Sequence, residues 1–148
     1  MLTAPPLELK KYFFPYVKIV ADVEYEPSEK EITPNFEVKT SVEHSETNHI
    51  YQVGLEIIAE PEDEKSKIPY SIRLVVVGLF TVNEKFPDPN KLLKINGASM
   101  LYSAAREFVI TVTSRGPWPH VVIPTVSFLP QDKKQVETED TGEMDIKS

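Results

Sequence analysis

The chain has 148 residues and a formal charge of −7, enough for one domain with an ordinary core, and too acidic to displace counterions from nucleic acid or to bind anionic membranes. It has no cysteine, which rules out disulfides and thiolate zinc sites. No stretch reaches the roughly 18 apolar residues of a membrane span, and Met1–Pro6 lacks the basic and apolar regions of a secretory signal, so a soluble cytoplasmic protein is expected.

Leu7 to Tyr16 is apolar with one proline and reads as a short strand. From Val17 the chain alternates. Val17, Ile19, Ala21, Val23 and Tyr25 share one face, while Lys18, Asp22, Glu24 and Glu26 share the other, as in a strand with one buried side. Prolines and mixed charge make Glu26–Pro34 a loop. Phe36, Val38, Thr40 and Val42 alternate with charged or polar neighbours in a second strand. A short polar hairpin connection, His44–Asn48, leads to a third strand lined by Tyr51, Val53, Leu55 and Ile57. After the charged loop Glu60–Lys67, Ile72–Val82 is almost continuously apolar and β-branched, which predicts a strand covered on both faces.

Phe86-Pro87-Asp88-Pro89 breaks the chain, and Asp88 is placed to cap a short helical turn over Asn90–Ile95. A long helix is predicted from about Gly97–Ser99, with apolar side chains on almost every face. Such a helix needs cover from its own domain on one side and from something else on another. A second copy is the simplest cover, through Met100, Leu101, Tyr102, Ala105, Phe108, Val109 and Val112. Gly116 suits a left-handed residue after the helix, and Pro117 prevents continuation. Val121–Phe128 reads as extended. The charged stretch from Gln131 to Ser148 reads as a disordered tail beyond a single domain over residues 1–130. The fold expected is α+β, a four-stranded antiparallel sheet with a long helix packed on one side.

The residues give little support to catalysis. His44, His49 and His120 have no metal-ligand spacing and read as surface histidines; there is no arranged nucleophile and no Gly-rich phosphate loop. No enzyme activity and no cofactor are expected. Two constellations remain. Asp22, Glu24 and Glu26 form either a solvated acidic face or a docking surface for a basic partner, beside Glu37, Glu43 or Glu56 if the strands are neighbours. Ile32, Phe36, Phe86, Trp118 and Phe128 fall near the ends of elements, and either belong to the core or line a groove for extended apolar segments.

Met100–Phe128 resembles the SecB family of export chaperones. The likeness lies in Leu101-Tyr102, Ala105-Arg106-Glu107, Ile110-Thr111 and Ser114-Arg115-Gly116, then Pro119, Pro124, Val126 and Phe128. Gly78-Leu79-Phe80 is similar to the end of the family's fourth strand, and Pro34–Lys39 and Tyr51-Gln52-Val53 fit its second and third. The resemblance implies a homotetramer, a dimer of dimers with the long helices between dimers. It also implies that unfolded preproteins are held in apolar grooves and delivered to the SecA motor, which docks on the acidic outer sheet face, here Asp22, Glu24 and Glu26. The sequence departs from the family after Phe128. Leu129-Pro130-Gln131-Asp132-Lys133-Lys134 is not the usual second apolar helix, and Thr138–Ser148 is unlike the tail that SecA reads. Two alternatives stand beside general export: a chaperone dedicated to one client such as an antitoxin, and a non-chaperone adaptor using the acidic face.

Overall fold

The computed structural model describes residues 5–27, 34–63 and 65–129. Four antiparallel strands, β1 (Leu7–Ala21), β2 (Asn35–His44), β3 (Tyr51–Glu60) and β4 (Tyr70–Val82), form one sheet in the order β1-β4-β3-β2. A helical run crosses one face: α1 (Pro89–Leu92), a π-helical turn (Leu93–Gly97) and α2 (Ala98–Thr113), with no break between them. The α+β architecture read from the sequence is the one found.

Strands β2 and β3 lie where the period-two pattern places them. They pair without a slip from Asn35↔Glu60 to His44↔Tyr51, so Val38 and Ile57 share one face, and Lys39 and Glu56 the other. The hairpin between them closes through Ser45 N–H to the Ile50 carbonyl (2.9 Å), with His49 in the left-handed region at φ 56°.

Strand β1 differs from expectation in its continuity and at its C-terminal end. It starts at Leu7 and is a single strand of 15 residues, with register shifts between Leu9 and Lys11 and between Phe13 and Tyr16. Pro15 sits inside the second irregularity, on an edge strand where a missing N–H costs no ladder bond. These shifts scramble the alternation, which is why the sequence reads as a short strand over Leu7–Tyr16 and a second one from Val17 rather than as one strand. At its other end β1 stops at Ala21. The Asp22 carboxylate accepts from Glu24 N–H (2.9 Å) and its carbonyl from Tyr25 N–H (3.0 Å), turning the chain. Val23, which continues the apolar pattern, is 82% exposed.

Strand β4 is covered on one face only. Tyr70, Ile72, Leu74, Val76 and Phe80 are buried beneath the helix, while Arg73, Val75, Val77 and Leu79 point outward and are half-buried. Its central place between β1 and β3, not a second layer, shelters the outward row.

The two separate helices of the sequence reading are one. Asp88 caps the start, accepting from Lys91 N–H (3.2 Å), with Pro89 in the first turn. The π turn then absorbs an extra residue while Leu93, Gly97 and Ala98 pack inward. The helix ends at Thr113, but Gly116 is not left-handed, for no described glycine has positive φ. Glycine is required there by close approach: a Cβ on Gly116 would lie 2.0 Å from the Tyr70 hydroxyl oxygen.

The helix is not apolar all round. Leu101, Tyr102, Ala105 and Val109 join the chain's own core. The opposite side carries Ser103, Glu107 and Thr111, all exposed, with Met100 at 42% exposure. Of the seven residues expected to meet a second copy, those four are therefore already used within the chain, leaving Met100, Phe108 and Val112. Phe108 is itself stacked on Phe14 of β1 at 4.6 Å.

Candidate functional site

After the helix the chain runs back along it in an extended strap, residues 119–129, with no strand partner. Helix side chains hold this strap instead. Thr113 Oγ1 accepts from Val121 N–H (2.8 Å), Arg106 Nε–H donates to the Ile123 carbonyl (3.2 Å), and the Tyr102 hydroxyl donates to the Pro124 carbonyl. Burial raises the Tyr102 pKa far above the ordinary phenol value, so the hydroxyl keeps its proton as the donor this contact needs. Ile123 is the strap's buried anchor, while Val122 and Leu129 are 52% and 63% exposed.

The aromatic candidates do not converge on one groove. Trp118 belongs to a clasp at the C-terminal end of the helix. Its indole N–H donates to the Asp22 carbonyl (2.9 Å), its ring meets Tyr25 edge-on at 5.2 Å, and its backbone N–H donates to the Tyr70 hydroxyl (3.1 Å). That hydroxyl also lies 3.2 Å from the carbonyls of Thr113 and Trp118. Tyr70 thus ties β4 to the helix end and the strap, a role nothing in the sequence singles out. Phe36 lies on the core side of β2 opposite Ala59 and is half-buried. Ile32 lies outside the described residues, as does the stretch Gln131–Ser148 read as a tail.

Phe86 and Phe128 each line a cavity near the start of the helical run, but not the same one. Phe86, 41% exposed, lines a cavity of about 300 Å³ with His44, His49, Tyr51, Glu84 and Pro89. The His44 and Tyr51 rings there are stacked at 4.1 Å. Phe128, edge-on to Tyr102 at 5.7 Å, lines a cavity of about 430 Å³ with Asp88, Asn90, Lys91, Lys94 and Ile95. The helix start, Asp88-Pro89-Asn90, lies against both cavities. Among the described residues no group of three His, Cys, Asp or Glu side chains is placed to hold a metal ion.

The acidic set is gathered differently from the sequence reading. Asp22, Glu24 and Glu26 lie on and after the turn, not on a strand face, and they surround Lys67. Lys67 Nζ is 3.1 Å from Glu24 Oε2, and the hydrogen bond and charge of Glu24, then the charges of Asp22 and Glu26, raise its pKa. Glu37 and Glu43 are not their neighbours, because β1 and β2 are at opposite edges of the sheet, and Glu56 on β3 is separated from β1 by β4. The outer face of β2, β3 and β4 carries a mixed ladder. Lys39 lies between Glu37 (3.9 Å) and Glu56 (4.0 Å), and Arg73 between Glu56 (3.5 Å) and Glu60 (3.0 Å).

The sequence reading missed one surface. Tyr12, Phe13, Tyr16, Val17 and Val20 of β1 are 40–49% exposed, on a strand whose other edge has no partner among the described residues. The signal was the dense aromatic run Tyr12-Phe13-Phe14-Pro15-Tyr16, richer than one half-buried strand requires.

A family model described as preprotein translocase subunit SecB matches residues 17–137. No curated protein matches the chain. Among solved structures, the chain is similar to a SecB-like chaperone of Mycobacterium tuberculosis in complex with a ChAD peptide from an antitoxin. The TM-score is 0.65 at 15% identity, covering 82% of this chain and 91% of that one. A protein of unknown function from Streptococcus agalactiae matches with a TM-score of 0.49 at 15% identity, covering 83% and 100%. At such identities the likeness is one of fold.

Proposed function

The chain belongs to the SecB family, and we propose that it is a holdase chaperone that binds unfolded polypeptides passively, without nucleotide. The observation that carries this reading is that Phe86 and Phe128 each line a cavity beside the helix start. Rings at an open cavity bind apolar side chains of a partner with little reorganisation of the chaperone. Excess protein is expected to delay aggregation of a slow-folding client in stoichiometric proportion, with no effect of ATP. Phe86→Ser with Phe128→Ser should weaken the delay several-fold while leaving the far-ultraviolet circular dichroism unchanged. If excess wild-type protein leaves several unrelated clients untouched, the general reading fails. A dedicated-client reading then leads, favoured by the antitoxin peptide on the Mycobacterium tuberculosis structure.

Assembly belongs to the same proposal. A dimer of dimers needs two different self-complementary interfaces. The chain has two surfaces to offer, the outer side of the helix around Met100 and the open β1 edge with Tyr12, Phe13, Tyr16 and Val17.

Delivery to the SecA motor would use Asp22, Glu24 and Glu26. Lys67 among them offsets part of their charge, so we expect weak binding that weakens further as salt rises. Glu24→Lys with Glu26→Lys should abolish that binding and spare client holding, as read by SecA pull-down and light scattering. Loss of both activities would make the residues structural. No SecA binding by the wild-type chain at low salt rejects delivery and favours the dedicated chaperone.

A further inference from the structure

The cavity beside Phe128 joins apolar and basic side chains. Its floor is apolar, from the half-buried Ile95 and Phe128, and its rim carries Lys91 and Lys94, both exposed. Lys39, Lys67 and Arg73 each lie against carboxylates, whereas Lys11, Lys18, Lys85 and Arg115 are in no ion pair among the described residues. Among the described residues Lys91 and Lys94 are in no ion pair. Among the described residues the one acid lining the cavity is Asp88, whose carboxylate accepts from Lys91 N–H as the helix cap. Two ammonium groups thus face one carboxylate already engaged by the backbone, in a chain whose overall charge is −7. A positive rim beside an apolar floor selects for the opposite arrangement in a partner.

We propose that this cavity takes client segments in which a large apolar side chain is flanked by Asp or Glu, so that the apolar group covers Ile95 and Phe128 and the carboxylates meet Lys91 and Lys94. The assignment rests on the chaperone reading and names the client chemistry this end of the site prefers. The preference is local. The global acid excess repels an acidic segment at long range, but beyond about 10 Å that repulsion is screened at 0.1 M salt. The two lysines act inside that distance.

The test uses the full-length chain and three short fluorescent peptides with the same apolar centre and acidic, neutral or basic flanks, read by anisotropy. The acidic peptide is expected to bind roughly fivefold more tightly than the neutral one, the scale of two solvent-exposed charge pairs, and the basic one most weakly. The gap should narrow as salt rises. Lys91→Glu with Lys94→Glu should reverse the order while leaving the neutral peptide's affinity unchanged. If the neutral peptide binds but flank charge has no effect, or the order survives the double substitution, the proposal is overturned and the chaperone reading stands. If no peptide binds at all, both fall. The chain's own residues 131–148, with six acids against three lysines, are the rival occupant. If their removal raises acidic-peptide affinity tenfold or more, the cavity belongs to that segment, which overturns the assignment to clients.

Discussion

Shortening Leu101 to alanine is expected to cost about 3 kcal/mol, because the side chain is fully buried and the rigid sheet beneath cannot collapse into the space. In a chain of this size that lowers the melting temperature by roughly 6–12 °C. The contact has a specific partner. A Cβ on Gly78 of β4 would lie 2.7 Å from Leu101 Cδ2 and 2.8 Å from Phe80 Cε1. Gly78 is a notch in the sheet into which the leucine fits. Gly78→Ala alone should therefore destabilise by about 1–3 kcal/mol through overpacking. With Leu101 already shortened, one of its two clashes is gone and the Phe80 clash remains. The double variant should cost less than the sum of the singles by about 1 kcal/mol. Urea denaturation of all four proteins measures this. Strict additivity would mean that helix and sheet do not interlock here.

That notch shows where the sequence is legible and where it is not. Gly78-Leu79-Phe80 stands out on the page as a glycine in a β-branched run, but only the crossing of the helix over β4 gives the glycine its purpose. Strands β2 and β3 were readable because their period-two pattern ends where the hydrogen-bonded ladder ends. In β1 the two come apart. Bulges around Pro15 hide the continuity of its two halves, and Val23 and Tyr25 keep the alternation going after the chain has turned. Hence the sequence pattern puts Asp22, Glu24 and Glu26 on a strand face, whereas they gather around Lys67 at and after a turn. Proximity to the end of an element was the only sequence signal for the aromatic site. It pointed to Phe86 and Phe128, which line open cavities. It pointed equally to Trp118, whose polar groups are all engaged in the clasp with Tyr70 and Asp22. Nothing local to a sequence distinguishes a ring held by distant partners from a ring that waits for one.

The same limit bears on the helix, where composition alone does not say which apolar side chains face inward. Two changes of the same kind separate folding from assembly. Val109→Glu places a carboxylate at a position with no exposure, against the sheet. An unpaired buried charge costs on the order of 5 kcal/mol, comparable with the whole stability of many domains. This variant is expected to lose cooperative unfolding and to aggregate. Met100→Glu with Ala104→Glu puts the charges one turn apart on the outer side, where Met100 is 42% exposed. Like charges four residues apart cost the isolated helix only about 0.2–0.5 kcal/mol. Together with Glu107 they form an acidic ridge that two copies could not bring together. This second variant should keep its circular dichroism and melting behaviour but sediment as smaller species than the wild type. A wild-type chain that sediments as a monomer at micromolar concentration would rule out assembly through the helix. Unfolding of the outer-face variant to the same degree as Val109→Glu would mean that this side of the helix, too, is buried within a single chain.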